Sequence, residues 1–331
     1  MDKVGVGVVG CGFVGYGAHV PAFSSIPGSR LVAVADPDAA RLGKVGKKFP
    51  VKTYQDYRDL VKDPEIHAVV VSVPTPLHAE VALAAIEAGK HVLCEMPLAE
   101  NLGQADKIIT AAEKKSVHLM PSLTFRFSPP FVKIKELMDQ GKLGDPAAVI
   151  YREFIAAKDL AKQWPPGAWV WNLKESGGPL YTLAVWSIDL VRWLLKTEVK
   201  DVHSAVKYTP LPRYGGTMGY DACAAAELAN GVSACFQFSG TVAESASSCV
   251  FEVVGSSTAV AKTTAHEAVT LYDDEPYETK WLVKQGGPRM WGHQQQDEHF
   301  VQCLLEGKAP SITPEDGRKA MEVAAKIAKY S

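Results

Sequence analysis

The stretch VGVGVVGCGFVG, residues 4–15, decides the fold of this chain. Its first half, Val4–Val9, is the kind of short apolar run that predicts a parallel strand buried on both faces. Its second half places glycine at positions 10, 12 and 15, in the pattern G-x-G-x-x-G. Such glycines allow a tight turn and let the backbone approach a pyrophosphate at a helix N-terminus. The loop residues Gly10, Gly12, Phe13, Val14 and Gly15 are therefore predicted to bind a dinucleotide.

An acidic side chain follows the second predicted strand, Leu31–Ala35, at an informative spacing. Asp36 lies 21 residues after Gly15, where the carboxylate that binds the adenosine ribose is expected. A carboxylate there accepts from the 2′-hydroxyl and repels a 2′-phosphate, and Pro37 follows instead of an arginine. We therefore expect NAD rather than NADP. Asp36 has an alternative role, compatible with the first, as the N-cap of a helix predicted over Asp38–Val45.

Strand-like and helix-like segments alternate through the first ~120 residues, which predicts a doubly wound parallel sheet. The further strands expected there are Ala68–Val73, His91–Cys94 and Val117–Met120. From Ala147 onward the apolar residues alternate instead, which is typical of antiparallel strands. Asn230-Gly231 separates two such runs and predicts a hairpin. We therefore predict an α/β chain with a Rossmann domain over 1–123 and an α+β domain with a large, mostly antiparallel open sheet over 124–331.

The composition excludes several classes of protein. The 331 residues contain 35 Lys and Arg against 37 Asp and Glu, so the formal net charge of −2 provides no broad cationic field for nucleic acid. No apolar run reaches the roughly 18–20 residues of a membrane helix. The chain opens without a secretory signal pattern, and its six cysteines form no CxxC pair. We expect a cytoplasmic protein that binds a small molecule, with neither a nucleic acid nor a membrane as partner.

Motifs along the whole chain together resemble one family. They are the glycine loop, His19–Phe23, Pro74 with His78, Ala85–Ala99, Arg126–Pro129, Gly177–Leu180 with Asp189, and Pro314–Gly317. This combination resembles the glucose-fructose oxidoreductase / inositol dehydrogenase (Gfo/Idh/MocA) family. The resemblance implies a Rossmann domain, a second open-sheet domain and a nicotinamide cofactor across the cleft. It also implies cofactor contacts from Pro74, His78, Glu95, Pro97 and Arg126.

The chain departs from the family at the residues that move protons. Typical members carry Glu-Lys-Pro, whose lysine helps move the substrate proton, but Met96 stands at that position. They also carry an Asp and a His four residues apart, which correspond to Thr182 and Trp186. Asn172 stands where an arginine often follows the tryptophan that is Trp171 here. Since none of the replacements titrates near neutral pH, we expect a non-standard active site.

Three functions fit these departures. The first is an NAD(P)-dependent reductase of an activated C=N, C=O or C=C bond, which needs little enzyme acid, or an oxidoreductase acting on a sugar-like or cyclic substrate. Biliverdin reductases and thiazolinyl imine reductases resemble this fold and also lack the lysine. The second is a catalytically silent NAD-binding sensor, since the fungal galactose-pathway repressor resembles this fold too. The third is a sugar or cyclitol dehydrogenase with a relocated base.

Several side chains are candidates for the missing proton carrier: Tyr181, Lys174, Glu153, Lys158 and His293. Glu153 and Lys158 lie in or just after the strand that typically lines the substrate pocket in the family. Tyr181 neighbours the lost Asp position, but adjacent helical residues point about 100° apart. The nine histidines show no spacing typical of metal ligands, so no metal is predicted.

Aromatic side chains crowd the segment expected to meet the substrate: Trp164, Trp169, Trp171, Tyr181 and Trp186. Flat apolar rings suit a sugar face or an aromatic ring. We predict substrate contacts from Trp171, Asn172, Tyr181 and Trp186. The alternative is that these rings only pack within the core.

One predicted sheet face indicates self-association. Along Val232–Ser239 the outward positions are Ser233, Cys235, Gln237 and Ser239, which are small or neutral rather than charged. Such a face suits sheet-on-sheet contact. We expect a homodimer or homotetramer, as the family resemblance also implies. The alternative is a face exposed to water.

Overall fold

The structure is a computed structural model that describes residues 2–264, 267–274, 278–283 and 291–330. The chain divides into two compact units. Unit 1 comprises Met1–Thr124 and Gly286–Lys319, and unit 2 comprises Phe125–Gln285 and Ala320–Ser331. Residues 291–319, which the sequence prediction assigned to the second domain, thus cluster with unit 1. None of the described helices is long and apolar enough to cross a membrane.

The helices and strands are numbered in chain order. The strands are β1 (Val4–Val9), β2 (Ser29–Ala35), β3 (Lys52–Tyr54), β4 (Ala68–Val71), β5 (His91–Cys94), β6 (Leu119–Pro121), β7 (Pro146–Ala156), β8 (Val199–Leu211), β9 (Thr217–Leu228), β10 (Ser233–Val242), β11 (Ser248–Gly255), β12 (Val260–Thr264), β13 (Ala268–Tyr272) and β14 (Thr279–Leu282). The helices are α1 (Val20–Ser25), α2 (Ala39–Gly46), α3 (Tyr57–Leu60), α4 (His78–Glu87), α5 (Leu102–Lys115), α6 (Pro129–Asp139), α7 (Ala157–Gln163), α8 (Leu173–Ser176), α9 (Gly178–Leu195), α10 (His293–Glu306) and α11 (Pro314–Ala328).

Unit 1 contains a parallel sheet in which the described strands follow the order β3-β2-β1-β4-β5-β6. The side chains of β1 and β4 are buried throughout, as expected for strands covered on both faces. The order reverses between β1 and β4. In open sheets of this kind, ligands bind outside the carboxyl ends of the strands at such a reversal. The glycine loop leaves β1 at that end.

Unit 2 contains a mixed sheet in which the described strands follow the order β14-β13-β12-β11-β7-β10-β9-β8. β7 and β10 run parallel, and the other neighbours run antiparallel. The register places Tyr151 opposite Phe236 and Phe251. The ring of Phe131 on α6 lies 5.8 Å from that of Phe251, so α6 covers this face. We call it the inner face, and α9 packs against two of its strands, β7 and β9.

The predicted fold class is confirmed, with small shifts at the ends of elements. The hairpin forms around Asn230-Gly231, and Gly231 has the positive φ of 85° that this turn requires. The strand expected over Val117–Met120 spans Leu119–Pro121, and the one expected over Ala68–Val73 ends at Val71. β3 and β12 were not predicted. Both contain lysine and threonine in place of a solid apolar run, so their sequences lack a strand signal.

Candidate functional site

The glycine loop after β1 has the geometry that a bound pyrophosphate requires. Gly10 has a φ of 95°, and a Cβ atom there would collide with the backbone of Ser72. A Cβ at Gly15 would collide with the carbonyl oxygen of Gly10. At Gly12 a Cβ would meet nothing within 4 Å, so this backbone faces open space. A tight turn, close packing and an open approach are the three roles of these glycines in dinucleotide binding. The loop therefore fits such a cofactor.

The helix after the loop, residues 13–25, widens into a π-helical turn over Gly15–His19. Such turns are rare and are frequent at functional sites. This turn directs His19 into the interior, where it is 0% exposed, whereas Phe13 at the start of the helix is 49% exposed. Val14 is partly exposed. The loop thus presents Phe13 and Val14 outward and a histidine inward.

Asp36 connects the end of β2 to the glycine loop. Its carboxylate accepts hydrogen bonds from the backbone N–H groups of Cys11 at 2.8 Å and Asp38 at 2.9 Å. The cap of α2 is Asp38, whose carboxylate accepts from the N–H groups of Ala40 and Arg41. The alternative role of Asp36 as a helix cap is therefore wrong, because Asp38 lies directly before α2 and Asp36 lies two residues too early.

A buried group of side chains joins distant segments of unit 1. Nδ1 of His19 lies 2.9 Å from Oδ2 of Asp297, and Nε2 of His19 lies 2.9 Å from Oε1 of Glu95. The hydroxyl of Ser122 donates to the same Glu95 oxygen at 2.6 Å, and Nε2 of His293 lies 3.6 Å from it. None of the five residues is more than 6% exposed. We call His19, Glu95, Ser122, His293 and Asp297 the His19 cluster.

Opposite charges hold the His19 cluster together. Burial lowers the pKa of His19, but the carboxylates of Asp297 and Glu95 outweigh it and raise that pKa to about 10. Burial raises the pKa of Glu95, but hydrogen bonds with His19 and His293 outweigh it and hold that pKa well below its ordinary range. His19 is thus a cation between two carboxylates at neutral pH. The side chain of Glu95, a predicted cofactor contact, is engaged in this cluster.

The segment after Glu95 is held by a second buried histidine. Met96 is 3% exposed and is joined to Pro97 by a cis peptide bond. The two ring nitrogens of His78 lie 2.7 Å from the carbonyl oxygen of Pro97 and 2.8 Å from that of Val73. Burial lowers the pKa of His78. His78 therefore ties together the segments after β4 and β5, while Pro74 stays exposed next to Val73.

In unit 2, the two positions that the family resemblance equates with the Asp and His, Thr182 and Trp186, lie on α9. The hydroxyl of Thr182 donates to the carbonyl of Gly178 at 3.0 Å, within its own helix. Trp186 is partly exposed. Tyr181 is 1% exposed, its ring centroid lies 5.0 Å from that of Tyr330, and burial raises the pKa of its hydroxyl. This geometry favours a packing role for Tyr181 over proton transfer.

The other predicted substrate contacts are partly or fully exposed. The indole N–H of Trp171 lies within hydrogen-bond distance of the carbonyl oxygens of Trp164 and Pro165, at 3.1 and 3.0 Å. Asn172 is exposed.

Lys158, a candidate proton carrier, is also exposed and pairs with Glu244 at 2.9 Å, and this hydrogen bond raises the pKa of Lys158. A lysine with a raised pKa is a poor base at neutral pH.

Arg126, a predicted cofactor contact, forms a buried ion pair within unit 2. Its Nε and one terminal nitrogen donate to the two oxygens of Asp189 at 2.7 and 2.6 Å. Arg192 approaches the same carboxylate at 3.5 Å and also binds Glu198. The Asp189 side chain is 1% exposed. The guanidinium group of Arg126 is thus oriented by the carboxylate of Asp189 on α9.

Glu153 is the candidate proton carrier with the most suitable environment. It lies on the inner face of β7, partly exposed, and faces Phe238 and Cys249 across the neighbouring strands. Burial raises the pKa of its carboxyl to about 7, and a hydrogen bond with Tyr151 opposes part of that rise. A carboxyl with this pKa can accept and release a proton at neutral pH.

A tyrosine beside Glu153 carries an unpaired hydroxyl. The hydroxyl of Tyr220 is buried and has no hydrogen-bond partner among the residues that the structure describes. A Cβ at Gly240 would come within 2.6 Å of the Tyr220 ring, so the glycine lets this ring lie across β10. Burial, then the charge of Glu153, raise the pKa of Tyr220. A buried hydroxyl without a partner costs about 1–3 kcal/mol.

Sequence reasoning missed Tyr151, Tyr220 and Asp297. The tyrosines carried no signal, because they read as ordinary strand residues. Asp297 did have a sequence signal. The inward face of α10 follows the spacing i, i+3, i+4, i+7, i+8, and its first three positions are polar. Those positions are His293, Gln296, Asp297, Phe300 and Val301. Polar residues on an inward face indicate a buried polar network.

Two family models match the chain. Residues 4–123 match the one described as "Oxidoreductase family, NAD-binding Rossmann fold", and residues 131–261 match the one described as "GFO/IDH/MocA C-terminal domain". Fold and glycine loop thus define an NAD-binding Rossmann protein with a second, open-sheet unit. The chain belongs to the Gfo/Idh/MocA oxidoreductase family.

Relatives of several activities are similar to this chain. Myo-inositol 2-dehydrogenase of Thermotoga maritima is 32% identical over 198 residues, which cover 60% of this chain and 56% of that protein. The chain thus spans little more than half the length of this curated relative. A probable dehydrogenase from Thermotoga maritima is 25% identical with a TM-score of 0.81, covering 98% of this chain and 96% of that one. Biliverdin reductase from Synechocystis sp. PCC 6803, in complex with biliverdin and NADP+, is also 25% identical with a TM-score of 0.81, covering 98% of both chains.

Proposed function

We propose that the protein is an NAD(P)-dependent oxidoreductase with a non-standard active site, in which Glu153 carries the proton. Its substrate is a small molecule, either sugar-like or cyclic or containing an activated C=N, C=O or C=C bond. The observation that carries the proposal is the partly exposed carboxyl of Glu153, whose pKa lies at about 7 beside the unpaired hydroxyl of Tyr220. The inositol dehydrogenase and the biliverdin reductase among the similar proteins support the two substrate classes.

Each residue of the proposal has a defined task. Gly10, Gly12 and Gly15 would hold the pyrophosphate of a nicotinamide cofactor and Asp36 its ribose, and the cofactor would supply hydride transfer. In the oxidation of an alcohol, Glu153 takes up the proton that the hydroxyl loses. In the reduction, the same carboxyl returns that proton to the oxygen. Met96 takes no part in the proton transfer, because a thioether accepts no proton under these conditions.

Isotope transfer tests the proposal. The purified protein is incubated with deuterated NADH and a panel of cyclic ketones, keto-sugars, imines and linear tetrapyrroles, and products are analysed by mass spectrometry. We expect stereospecific transfer of one deuteride from the nicotinamide to at least one class of compound. Binding of NADH without transfer to any class would instead support the NAD-binding sensor. Any bound compound that the purified protein releases on denaturation would be added to the panel.

Asp36 is expected to set the preference for NAD over NADP. NADH at roughly 100 times its Kd should stabilise the fold by about 2.7 kcal/mol in a thermal shift measurement. Asp36→Ala removes the carboxylate that faces the ribose, so it should weaken NADH binding more than NADPH binding, which calorimetry would measure. The guanidinium of Arg41, 3.5 Å from this carboxylate, would then be available to a 2′-phosphate.

Asp38→Ala is the matched control for Asp36→Ala. It removes the cap of α2, which costs about 1 kcal/mol of stability, but leaves the Asp36 carboxylate in place. The ratio of NADH to NADPH affinity should therefore stay that of the wild type. An unchanged ratio in Asp36→Ala would contradict the assignment of Asp36.

We also propose that the protein forms a homodimer or homotetramer through the outer face of the unit 2 sheet. Ser233 is exposed and Cys235 and Gln237 are partly exposed, while Ser239 is buried and bound to Asp221 at 2.7 Å. Light scattering at micromolar concentration should report at least twice the 35.7 kDa of one chain. Cys235→Lys combined with Gln237→Glu should lower that mass and leave NADH affinity unchanged. A wild-type monomer would refute the proposal.

A further inference from the structure

Three ligand-type side chains of the His19 cluster converge on one point. Oε1 of Glu95 lies 2.9 Å from Nε2 of His19 and 3.6 Å from Nε2 of His293, and all three ligand atoms lie within 4.8 Å of one another. A tetrahedral zinc site has bonds of about 2.0–2.1 Å, so its donor atoms are about 3.4 Å apart. The two distances from Glu95 fall on either side of that value. Small side-chain shifts would therefore bring the three atoms into a zinc coordination sphere.

Hydrogen bonds behind the three side chains orient them as metal ligands are oriented. Asp297 binds Nδ1 of His19 at 2.9 Å, which leaves Nε2 directed at Glu95. A carboxylate on the remote nitrogen of a histidine is the usual support of a zinc-bound imidazole. The hydroxyl of Ser122 donates to Glu95 at 2.6 Å and accepts from the amide of Gln296 at 3.0 Å. The ligands thus have a second layer of partners, as established metal sites do.

Two buried acceptor oxygens occur on residues that bond to the cluster. Oδ1 of Asp297 and Oε1 of Gln296 are buried, and neither has a hydrogen-bond partner in the described part of the chain. Both residues also bond to members of the cluster, so the two unpaired oxygens belong to the same region. A metal ion with three protein ligands holds a water molecule at its fourth position, and that water donates two hydrogens. Two unpaired acceptors match this need.

We propose that His19, Glu95 and His293 bind a divalent transition-metal ion of the zinc class. Two imidazoles and one carboxylate favour Zn²⁺ or Co²⁺ over Mg²⁺ and Ca²⁺, which prefer oxygen ligands. The ligating His19 is neutral, so the metal takes the place of the proton that His19 otherwise shares with Glu95. The site lies in unit 1 and is independent of the proton transfer assigned to Glu153.

Metal binding by the wild-type protein is the first test. The purified protein is treated with a chelator, dialysed and titrated with Co²⁺ and with Zn²⁺ in competition with a chromophoric chelator. We expect one tightly bound ion per chain and the intense visible bands of tetrahedral Co²⁺. Elemental analysis of the protein before chelation would identify the ion acquired in the cell. Absence of both bound zinc and a tetrahedral cobalt spectrum would overturn the proposal.

Variants of α10 locate the bound ion. His293→Gln should abolish the tetrahedral cobalt spectrum, and Asp297→Asn should weaken zinc binding by about 10- to 100-fold through the orientation of His19. His299→Gln is the matched control, since His299 lies on the same helix and bonds to Ser311 instead of the cluster. It should bind zinc as the wild type does. Circular dichroism establishes that each variant is folded. Equal binding by wild type and a folded His293→Gln would place the ion elsewhere and refute the site.

Discussion

Glu153→Gln is expected to lower kcat by about 10²- to 10⁴-fold while leaving NADH affinity unchanged. The amide has nearly the shape of the carboxyl and keeps a hydrogen-bond acceptor for Tyr151, but it cannot take up a proton. Cofactor binding is assigned to the glycine loop and Asp36, so it should not respond. Steady-state kinetics on any compound that the isotope experiment identifies, together with calorimetry for NADH, would measure both quantities.

The pH profile separates a proton carrier from a merely structural glutamate. Since the pKa of Glu153 lies at about 7, the base required for oxidation is present above that pH and is lost as the pH falls through it. In the oxidation direction, kcat/KM should therefore decline below pH of about 7, and in the reduction direction above it. Both limbs should disappear in Glu153→Gln.

Glu252→Gln is the matched control for Glu153→Gln. Glu252 lies on the neighbouring strand β11, opposite Ile150 and therefore on the other face of the sheet, where it pairs with Lys262 at 2.7 Å. The activity and pH profile of the Glu252→Gln variant should be those of the wild type. A folded Glu153→Gln that keeps more than about a tenth of wild-type activity would contradict the assignment, because general acid–base catalysis contributes more than that. Tyr181 and Lys158 would then be tested next.

Asp189→Ala is expected to lower the free energy of unfolding by about 3–5 kcal/mol. The substitution removes the carboxylate that both Arg126 and Arg192 approach, at 2.6 and 3.5 Å. The Arg126 side chain is only 10% exposed. Water can therefore solvate its guanidinium charge only in part once Asp189 is removed. Chemical denaturation of the wild type and the variant at equal protein concentration would measure the difference.

Asp139→Ala is the control for Asp189→Ala. Asp139 also forms a carboxylate–cation pair in unit 2, with Lys135 at 2.6 Å, but its side chain is 52% exposed. Exposed pairs contribute about 0–1 kcal/mol, so this variant should unfold almost as the wild type does. Asp189→Leu combined with Arg126→Met should be less destabilised than Asp189→Ala, because no unpaired Arg126 charge remains buried. A loss below about 1 kcal/mol for Asp189→Ala would refute the argument.

The departures from the family pattern gain a physical context from the tertiary structure. Met96 and Thr182, which the family resemblance places at the lysine and aspartate positions, are buried, and Thr182 bonds within its own helix. Neither position offers a titrating group. A titrating group does occur on the sheet of unit 2, at Glu153, where burial raises the pKa of the carboxyl to about 7. This environment supports the proposed assignment of the acid–base function to Glu153.

Local sequence was sufficient for most of the fold. The solid apolar runs of β1 and β4, the glycines of the loop and the Asn-Gly turn each fix a local backbone geometry, so pattern and propensity predict them. The cap of α11 is a further example, since Thr313 and Asp316 exchange hydrogen bonds as their spacing predicts. The position of Asp36 after β2 likewise follows from the sequence, because one helix and one strand separate it from Gly15. Its contact with the cofactor ribose stays a prediction.

Properties that depend on residues far apart in the chain could not be predicted from local sequence. His19, Glu95 and His293 have no spacing along the sequence that indicates a common site, because the sheet order and the return of α10 to unit 1 bring them together. The same holds for Glu153, since any strand glutamate has the same local sequence signal whether it is solvated or buried. Its pKa depends on desolvation by neighbouring strands and by the packed aromatic rings of the inner face. The glycine pattern therefore predicts the position of the cofactor loop, whereas packing sets the pKa of the Glu153 carboxyl.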